Sequence, residues 1–334
     1  MQQPFRLGFL THLEGAGSPQ QIYQDGLELI TTADQLGFDV FWIAQHHFTG
    51  HVGRMPSPFP FLAAAAERTK QIRLGTSIVV LPLETPLRVA EDAAVLDTLS
   101  GGRLELGVGS GGDPAEFDAF GVQREQRHPL TTSGLEILQK AFRGEALGAH
   151  GQEFYPPAPT LINRLWQAAL SSVGAEFVAK NEAGLLLAKA AWGPDEATDK
   201  LQLPVAQTYL DTWSSATIEP RIGLSRGIYL AEDKKSALAQ VGDGVRKDVA
   251  GRINQGLIAD DLSLEHYAQY THLAYGHPEE VAATLAADAV LPHTTDLILQ
   301  FTPIFPPLDQ ALHMMEQIAT VIGPALGWQP HQNK

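Results

Sequence analysis

His46 and His47 stand side by side just beyond an apolar run, Val40-Phe41-Trp42-Ile43-Ala44, with only Gln45 between. Imidazole changes charge near neutral pH, so at a strand exit it can serve as acid or base. Neighbours in extended backbone point to opposite sides, so one ring should face a site and the other pack away. For an isolated pair, two hydrogen-bonded structural imidazoles are the plainer reading. A metal centre with His51 as third ligand is disfavoured, because the three share no helical face and no carboxylate lies beside them.

Two further segments present backbone rather than side chains. Gly107-Val108-Gly109-Ser110-Gly111-Gly112 fits the G-x-G-x-x-G spacing, follows a strand and precedes a helix. A dinucleotide site also needs an acid about twenty residues on, at the end of a next strand. The chain reads Gln126-Arg127-His128-Pro129-Leu130 there, with no strand. What remains is a glycine-rich strand exit where backbone can approach a ligand. Ser171-Ser172-Val173-Gly174 opens another helix. Ser172 is expected as its N-cap, and the helix end could also hold a phosphate on its free N–H groups.

The chain has 334 residues and no cysteine, which excludes a disulfide scaffold, a thiolate metal site and a cysteine nucleophile. With 23 basic and 38 acidic residues its net charge is -15, opposite to the basic footprint that nucleic acid or an anionic membrane surface requires. No apolar run is long enough to span a bilayer, and the first residues lack a signal peptide's core and cleavage site. A cytoplasmic location is therefore expected.

The elements that must hold these groups alternate along the whole chain. Apolar strands are expected at residues 7–10, 40–44, 73–81, 103–108, 165–170, 185–188, 221–230 and 296–301, each trailed by a helical stretch. Asp113-Pro114-Ala115-Glu116 reads as a capped helix start with Glu116 closing a capping box. A proline-rich segment near 145–162 reads as an inserted hairpin, expected with the helices of 193–275 to shape a substrate pocket. Asp97 and Arg103 flank the fourth strand's start and read as structural. Strands that are apolar throughout describe a parallel sheet covered on both faces. Eight such units favour a (β/α)8 TIM barrel, in one domain over 1–334, above an open doubly wound sheet.

Taken together, the motifs resemble those of the bacterial luciferase-like flavin monooxygenases. Ile43-Ala44-Gln45-His46-His47-Phe48 is similar to the family's second-strand signature, and residues 73–83 to its third strand. Residues 86–92 and 96–103, Gly107-Val108-Gly109 and the late Tyr275-Gly276-His277-Pro278-Glu279-Glu280 also fit. The resemblance is dense over about 5–122 and looser beyond. It implies a luciferase-like TIM barrel that uses reduced FMN and O₂ to oxygenate a small organic substrate. A separate flavin reductase would supply the FMN, and a homodimer is the usual assembly. It further implies that His46 serves as acid or base, and that Ser77 and Ile78 lie beneath the flavin ring, often joined by a cis peptide. Ser171, Ser172, Val173 and Gly174 would hold the phosphate.

Two positions depart from the family pattern. Gln45 replaces the usual Glu, and Ser110 stands where an arginine commonly clamps the phosphate. A hydroxyl forgoes charge-assisted hydrogen bonds, each worth about 1.5–3 kcal/mol. In so acidic a chain, helix N-termini would have to attract the dianion. Two alternatives stay open: hydride transfer with a deazaflavin in the same fold, and a flavin-binding or partner-stabilising barrel without turnover.

Overall fold

The structure, a computed structural model, describes residues 4–15, 17–48, 53–191 and 197–330. Its strands are β1 (Arg6–Thr11), β2 (Val40–Ile43), β3 (Arg73–Thr76), β4 (Val79–Val80), β5 (Leu104–Gly109), β6 (Leu165–Ala168), β7 (Gly184–Leu187), β8 (Ile222–Leu230), β9 (Ala274–Gly276) and β10 (Asp296–Phe301). All pair in parallel. The order β10-β1-β2-β3-β5-β6-β7-β8 closes on itself through β8–β10 pairing from Asp296↔Gly223 to Phe301↔Ile228, giving the eight-stranded barrel. β4 carries β3 onward and pairs with β5 at Val79↔Val108. β9 adds to β8 only at Ile228–Leu230, beyond the stretch that meets β7.

The helices between strands are α1 (Pro19–Gln35), α2 (Pro58–Ala66), α3 (Pro86–Leu99), α4 (Pro114–Ala119), α5 (Arg127–Phe142), α6 (Ser172–Lys180), α7 (Thr198–Thr212), α8 (Lys234–Asn254), α9 (Leu264–Tyr270), α10 (Pro278–Ala286) and α11 (Leu308–Gln317). Proline opens α1, α2, α3, α4 and α10, where a missing N–H costs nothing and φ is preset. No helix among the described residues is long and apolar enough to cross a membrane.

Two apolar layers hold the barrel. One lies between strands and helices; the other fills the interior with Leu10, Val40, Trp42, Ala44, Trp166, Leu186 and Ile298. Trp42 and Trp166 meet edge-on, 5.6 Å apart at 90°. The interior is therefore packed, and ligands are confined to its ends. Ile78 and Ala168, both partly buried, form the top of this plug.

Several expectations are corrected. The strand expected over 73–81 breaks at the cis peptide between Ser77 and Ile78. The hairpin expected at 145–162 reduces to one antiparallel bridge, Leu147↔Gln152, because Pro156, Pro157 and Pro159 cannot donate to a ladder. That insert joins a helix to the next strand, so it lies at the strands' N-terminal end and does not border the catalytic face. Thr160 and Arg164 instead line a cavity of about 840 Å³ there, with Arg6, Arg73 and Arg221. The structural reading of Asp97 and Arg103 agrees with their contacts. Asp97 takes two bonds from Arg164, at 2.6 and 2.9 Å, and Arg103 donates to carbonyls of Ala66, Ile72 and Ser100.

Candidate functional site

Strand C-termini bring the candidate residues to one face. β2 delivers His46, the β3–β4 corner Ser77 and Ile78, the end of β5 Ser110, and the β6–α6 turn Ser171 to Gly174. These strands are consecutive around the barrel, so the groups form a continuous arc.

His46 and His47 diverge as the alternation requires. The His47 ring is buried, edge-on to Phe120 at 4.7 Å, and its backbone N–H donates to Glu116 Oε1 at 2.8 Å. Glu116 therefore does not close the expected capping box. Asp113 alone caps α4, accepting from the Ala115 N–H at 2.9 Å. His46 is half-buried, with its Nε2 2.8 Å from Nδ1 of His12 just beyond β1. His12 Nε2 lies 3.2 Å from Gln300 Oε1, and Gln300 Nε2 donates to Ser225 Oγ at 2.6 Å. His12, Gln300 and Ser225 escape sequence reasoning because three distant strands bring them together. Burial lowers the pKa of His46; His47 lowers it further, while Glu116 and Asp113 oppose. Burial, with His46 and Lys189 adding, takes His12 down to about 3. His51 lies outside the described residues.

Beside this pair, a cavity of about 500 Å³ is lined by Glu14, Gly53, Arg54, Asp248 and Phe305, among others. Gly53 joins it to the histidine, since a Cβ there would stand 2.6 Å from His46 Cδ2. Burial lifts the Glu14 carboxyl to about 7, with Lys189 opposing and Asp248 assisting. The cavity wall can thus carry a protonated acid near neutral pH.

Gln45 explains its own departure from the family pattern. Its Nε2 donates to Glu84 Oε1 at 2.7 Å and to the Pro56 carbonyl at 3.0 Å, while Oε1 accepts the Val80 N–H at 2.7 Å. A glutamate in its place would face Glu84 charge to charge. Both carboxyls would then have raised pKa values, a penalty present above the ordinary carboxylate range and relieved below it. Gln45→Glu is expected to lose at least about 2 kcal/mol at pH 7 and markedly less near pH 4, measured by urea unfolding at both.

The glycine-rich exit is also corrected. A Cβ at Gly107 would stand 2.0 Å from the Thr76 carbonyl, and one at Gly109 2.9 Å from Ile78 Cδ1. These glycines admit the neighbouring strand and its corner; protein atoms occupy the space. Ser110 is half-buried at the end of β5. Nearby are two arginines that the sequence did not single out. Arg124 Nε donates to the Gly112 carbonyl at 2.9 Å, and Arg127 Nη1 lies 3.9 Å from where a Gly112 Cβ would be.

Ser171, and not Ser172, is the N-cap of α6; its Oγ accepts the Gly174 N–H at 3.2 Å. The N–H groups of Ser172 and Val173 at this helix end have no intrahelical acceptor by helix geometry. A flavin would meet this donor set and the apolar top of the plug. Ile78 and Ala168 offer a flat ring an apolar seat, and the α6 end, the Ser110 hydroxyl and the two arginines offer donors for an anion. These residues fit such a group.

A packed parallel barrel with this arc at its strand C-termini has the build of (β/α)8 enzymes that bind ligands on that face. The sequence profile of the luciferase-like monooxygenases matches residues 5–287, and the chain belongs to that family. It is 28% identical over 291 residues to the flavin-dependent trigonelline monooxygenase, oxygenase component, of Acinetobacter baylyi, covering 79% of this chain and 78% of that one. A 148-residue stretch is 42% identical to protein y4wF of Sinorhizobium fredii, spanning 44% of this chain and only 43% of that relative. In structure the chain is similar to the monooxygenase RslO1 from Streptomyces bottropensis, with TM-score 0.80 and 26% identity over 96% and 99% of the two chains.

Proposed function

We propose that the chain, as one luciferase-like unit over 1–334, is the oxygenase component of a two-component monooxygenase. It would take reduced FMN from a separate reductase, act with O₂ on a small organic substrate, and work as a homodimer. The observation that carries this reading is the arc from His46 through Ser77–Ile78 and Ser110 to the α6 N-terminus, over a barrel closed below by Trp42 and Trp166. The name of the Acinetobacter relative supports both the flavin and the separate supply.

When bound, reduced FMN supplies two electrons toward O₂, one oxygen atom entering the substrate and the other leaving as water. Ile78 and Ala168 would seat the ring and keep water from its underside. Ser171, Ser172, Val173, Gly174 and the Ser110 hydroxyl would hold the phosphate, with Arg124 and Arg127 supplying the charge that Ser110 lacks. His46, kept neutral by burial, can take a proton at Nδ1, the ring nitrogen not engaged by His12, and return it from there.

Anaerobic titration with reduced FMN tests the reading, followed by mixing with O₂. Binding in the micromolar range is expected. The Arg124→Ala/Arg127→Ala double variant should weaken it at least about tenfold, the loss of one charge-assisted contact. Absence of binding at high micromolar concentration would sink the reading, and preference for a reduced deazaflavin would replace it with hydride transfer.

A further inference from the structure

We propose that His12 is a positioning residue that fixes which nitrogen of His46 carries the proton. The inference rests on the role given to His46 above and extends it to a residue outside the cofactor arc.

The geometry supplies a direction. Gln300 commits its Nε2 to Ser225 Oγ at 2.6 Å, which leaves its carbonyl Oε1 facing His12 Nε2 at 3.2 Å. An amide oxygen only accepts, so His12 bears its hydrogen on Nε2. His12 is held neutral in its buried position and has just one N–H, which makes its Nδ1 an acceptor. The group 2.8 Å from that Nδ1 is His46 Nε2, which must donate. Neutral His46 is thereby the Nε2–H tautomer, with Nδ1 bare.

The same contact favours one charge movement. A proton arriving at His46 Nδ1 turns Nε2–H···Nδ1 into a charge-assisted hydrogen bond, which strengthens as the charge forms. The groups that face this ring are His12 from the end of β1, His47 beside it, and Glu116 and Asp113 at the start of α4. Lys189, beyond β7, acts on His12 and opposes its protonation. Gly53 packs against the imidazole edge, where even a Cβ would stand 2.6 Å from His46 Cδ2, and the His46 backbone N–H is held by the Met55 carbonyl at 3.0 Å. The rings of His12 and His46 stack 5.0 Å apart at 30°, so a flip of either would break the bond.

Selective ¹⁵N-histidine labelling of the chain without cofactor reads the tautomer directly, with His46 assigned by its loss in His46→Ala. The expected wild-type pattern is a protonated Nε2 and a bare Nδ1 on His46. His12→Ala should convert this to averaged shifts of mixed tautomers. His12→Asn should retain the wild-type pattern, since its Oδ1 can accept in place of Nδ1. A second readout is peroxide release on mixing reduced FMN with O₂. His12→Ala should slow it at least about tenfold and His12→Asn much less, a contrast that mere packing would not produce. A wild-type His46 protonated on Nδ1, or a tautomer unchanged in His12→Ala, would overturn the proposal. If His46→Ala leaves peroxide release unaltered, the role of His46 falls instead, and the nitrogen shifts still decide that of His12.

Discussion

Replacing Glu105 with leucine is expected to lower the unfolding free energy by about 3–5 kcal/mol at pH 7, the cost of leaving partners of a buried ion network uncompensated. Glu105 sits at the barrel's N-terminal end with its side chain 2% exposed. Its Oε1 accepts from Arg6 Nη1 at 2.8 Å and from Arg73 Nε at 2.6 Å, and its Oε2 from Trp166 Nε1 at 2.6 Å. Leucine would strand Arg73 Nε and the Trp166 indole N–H and leave Arg6 to Asp296. Glutamine keeps one acceptor and should lose less, because Arg6 is also shared with Asp296, at 2.6 Å. Freed from Glu105, that carboxylate would hold Arg6 alone.

The pH dependence follows from opposite shifts in the two acids. Burial pushes Glu105 up, but Arg6, Arg73 and the indole N–H outweigh it and bring it to about 2. A depressed carboxylate stabilises the fold above its unfolded pKa and loses that contribution as pH falls toward 2. Burial raises Asp296, helped by Glu105 against Arg6, so its charge costs stability above the ordinary range and acid relieves it. Urea unfolding of wild type and Glu105→Leu should therefore converge as pH falls from 5 toward 3. A gap that stays constant over that range would show that the loss comes from packing and not from charge.

The barrel is legible because its strands are apolar on both faces, as in Val40–Ile43 and Gly184–Leu187, and most are followed by a helix that opens on a capping residue or a proline. The His46/His47 divergence was legible from strand alternation alone. What escaped depends on contacts between distant residues. Glu116 has the spacing of a capping-box acid, yet the backbone of His47 competes for it and wins. Gln45 looked like a lost carboxylate until Glu84 appeared beside it. Gly107 and Gly109 looked like room for a ligand, and the Thr76 carbonyl and Ile78 fill that room. For the insert at 145–162, chain order alone decides the end of the barrel. A segment between a helix and the following strand of a parallel barrel must lie at the strands' N-terminal end. β9 was missed because a three-residue strand carries too little periodicity to stand out.

His46→Ala is expected to lower turnover with reduced FMN and O₂ by about 10²–10⁴-fold, the usual contribution of a positioned acid or base. Binding of reduced FMN should change only a few-fold, because His46 stands at the opposite end of the arc from the Ser171–Gly174 phosphate donors. The split between rate and affinity distinguishes proton transfer from loss of a binding contact. The acid limb of the rate profile gives a second test. Burial and His47 lower the His46 pKa against Glu116 and Asp113, so the ring stays neutral to a lower pH than a free imidazole would. If the neutral ring is the working form, the wild-type rate should fall in acid along a limb displaced below that of an ordinary imidazole. Glu116→Gln removes the first of the two opposing charges and should move that limb further toward acid. The residual rate of His46→Ala should lose the limb altogether. A limb that persists at the same pH in both variants would assign it to another group. Glu14 would then be the first to examine, since burial brings its carboxyl to about 7 in the adjoining cavity.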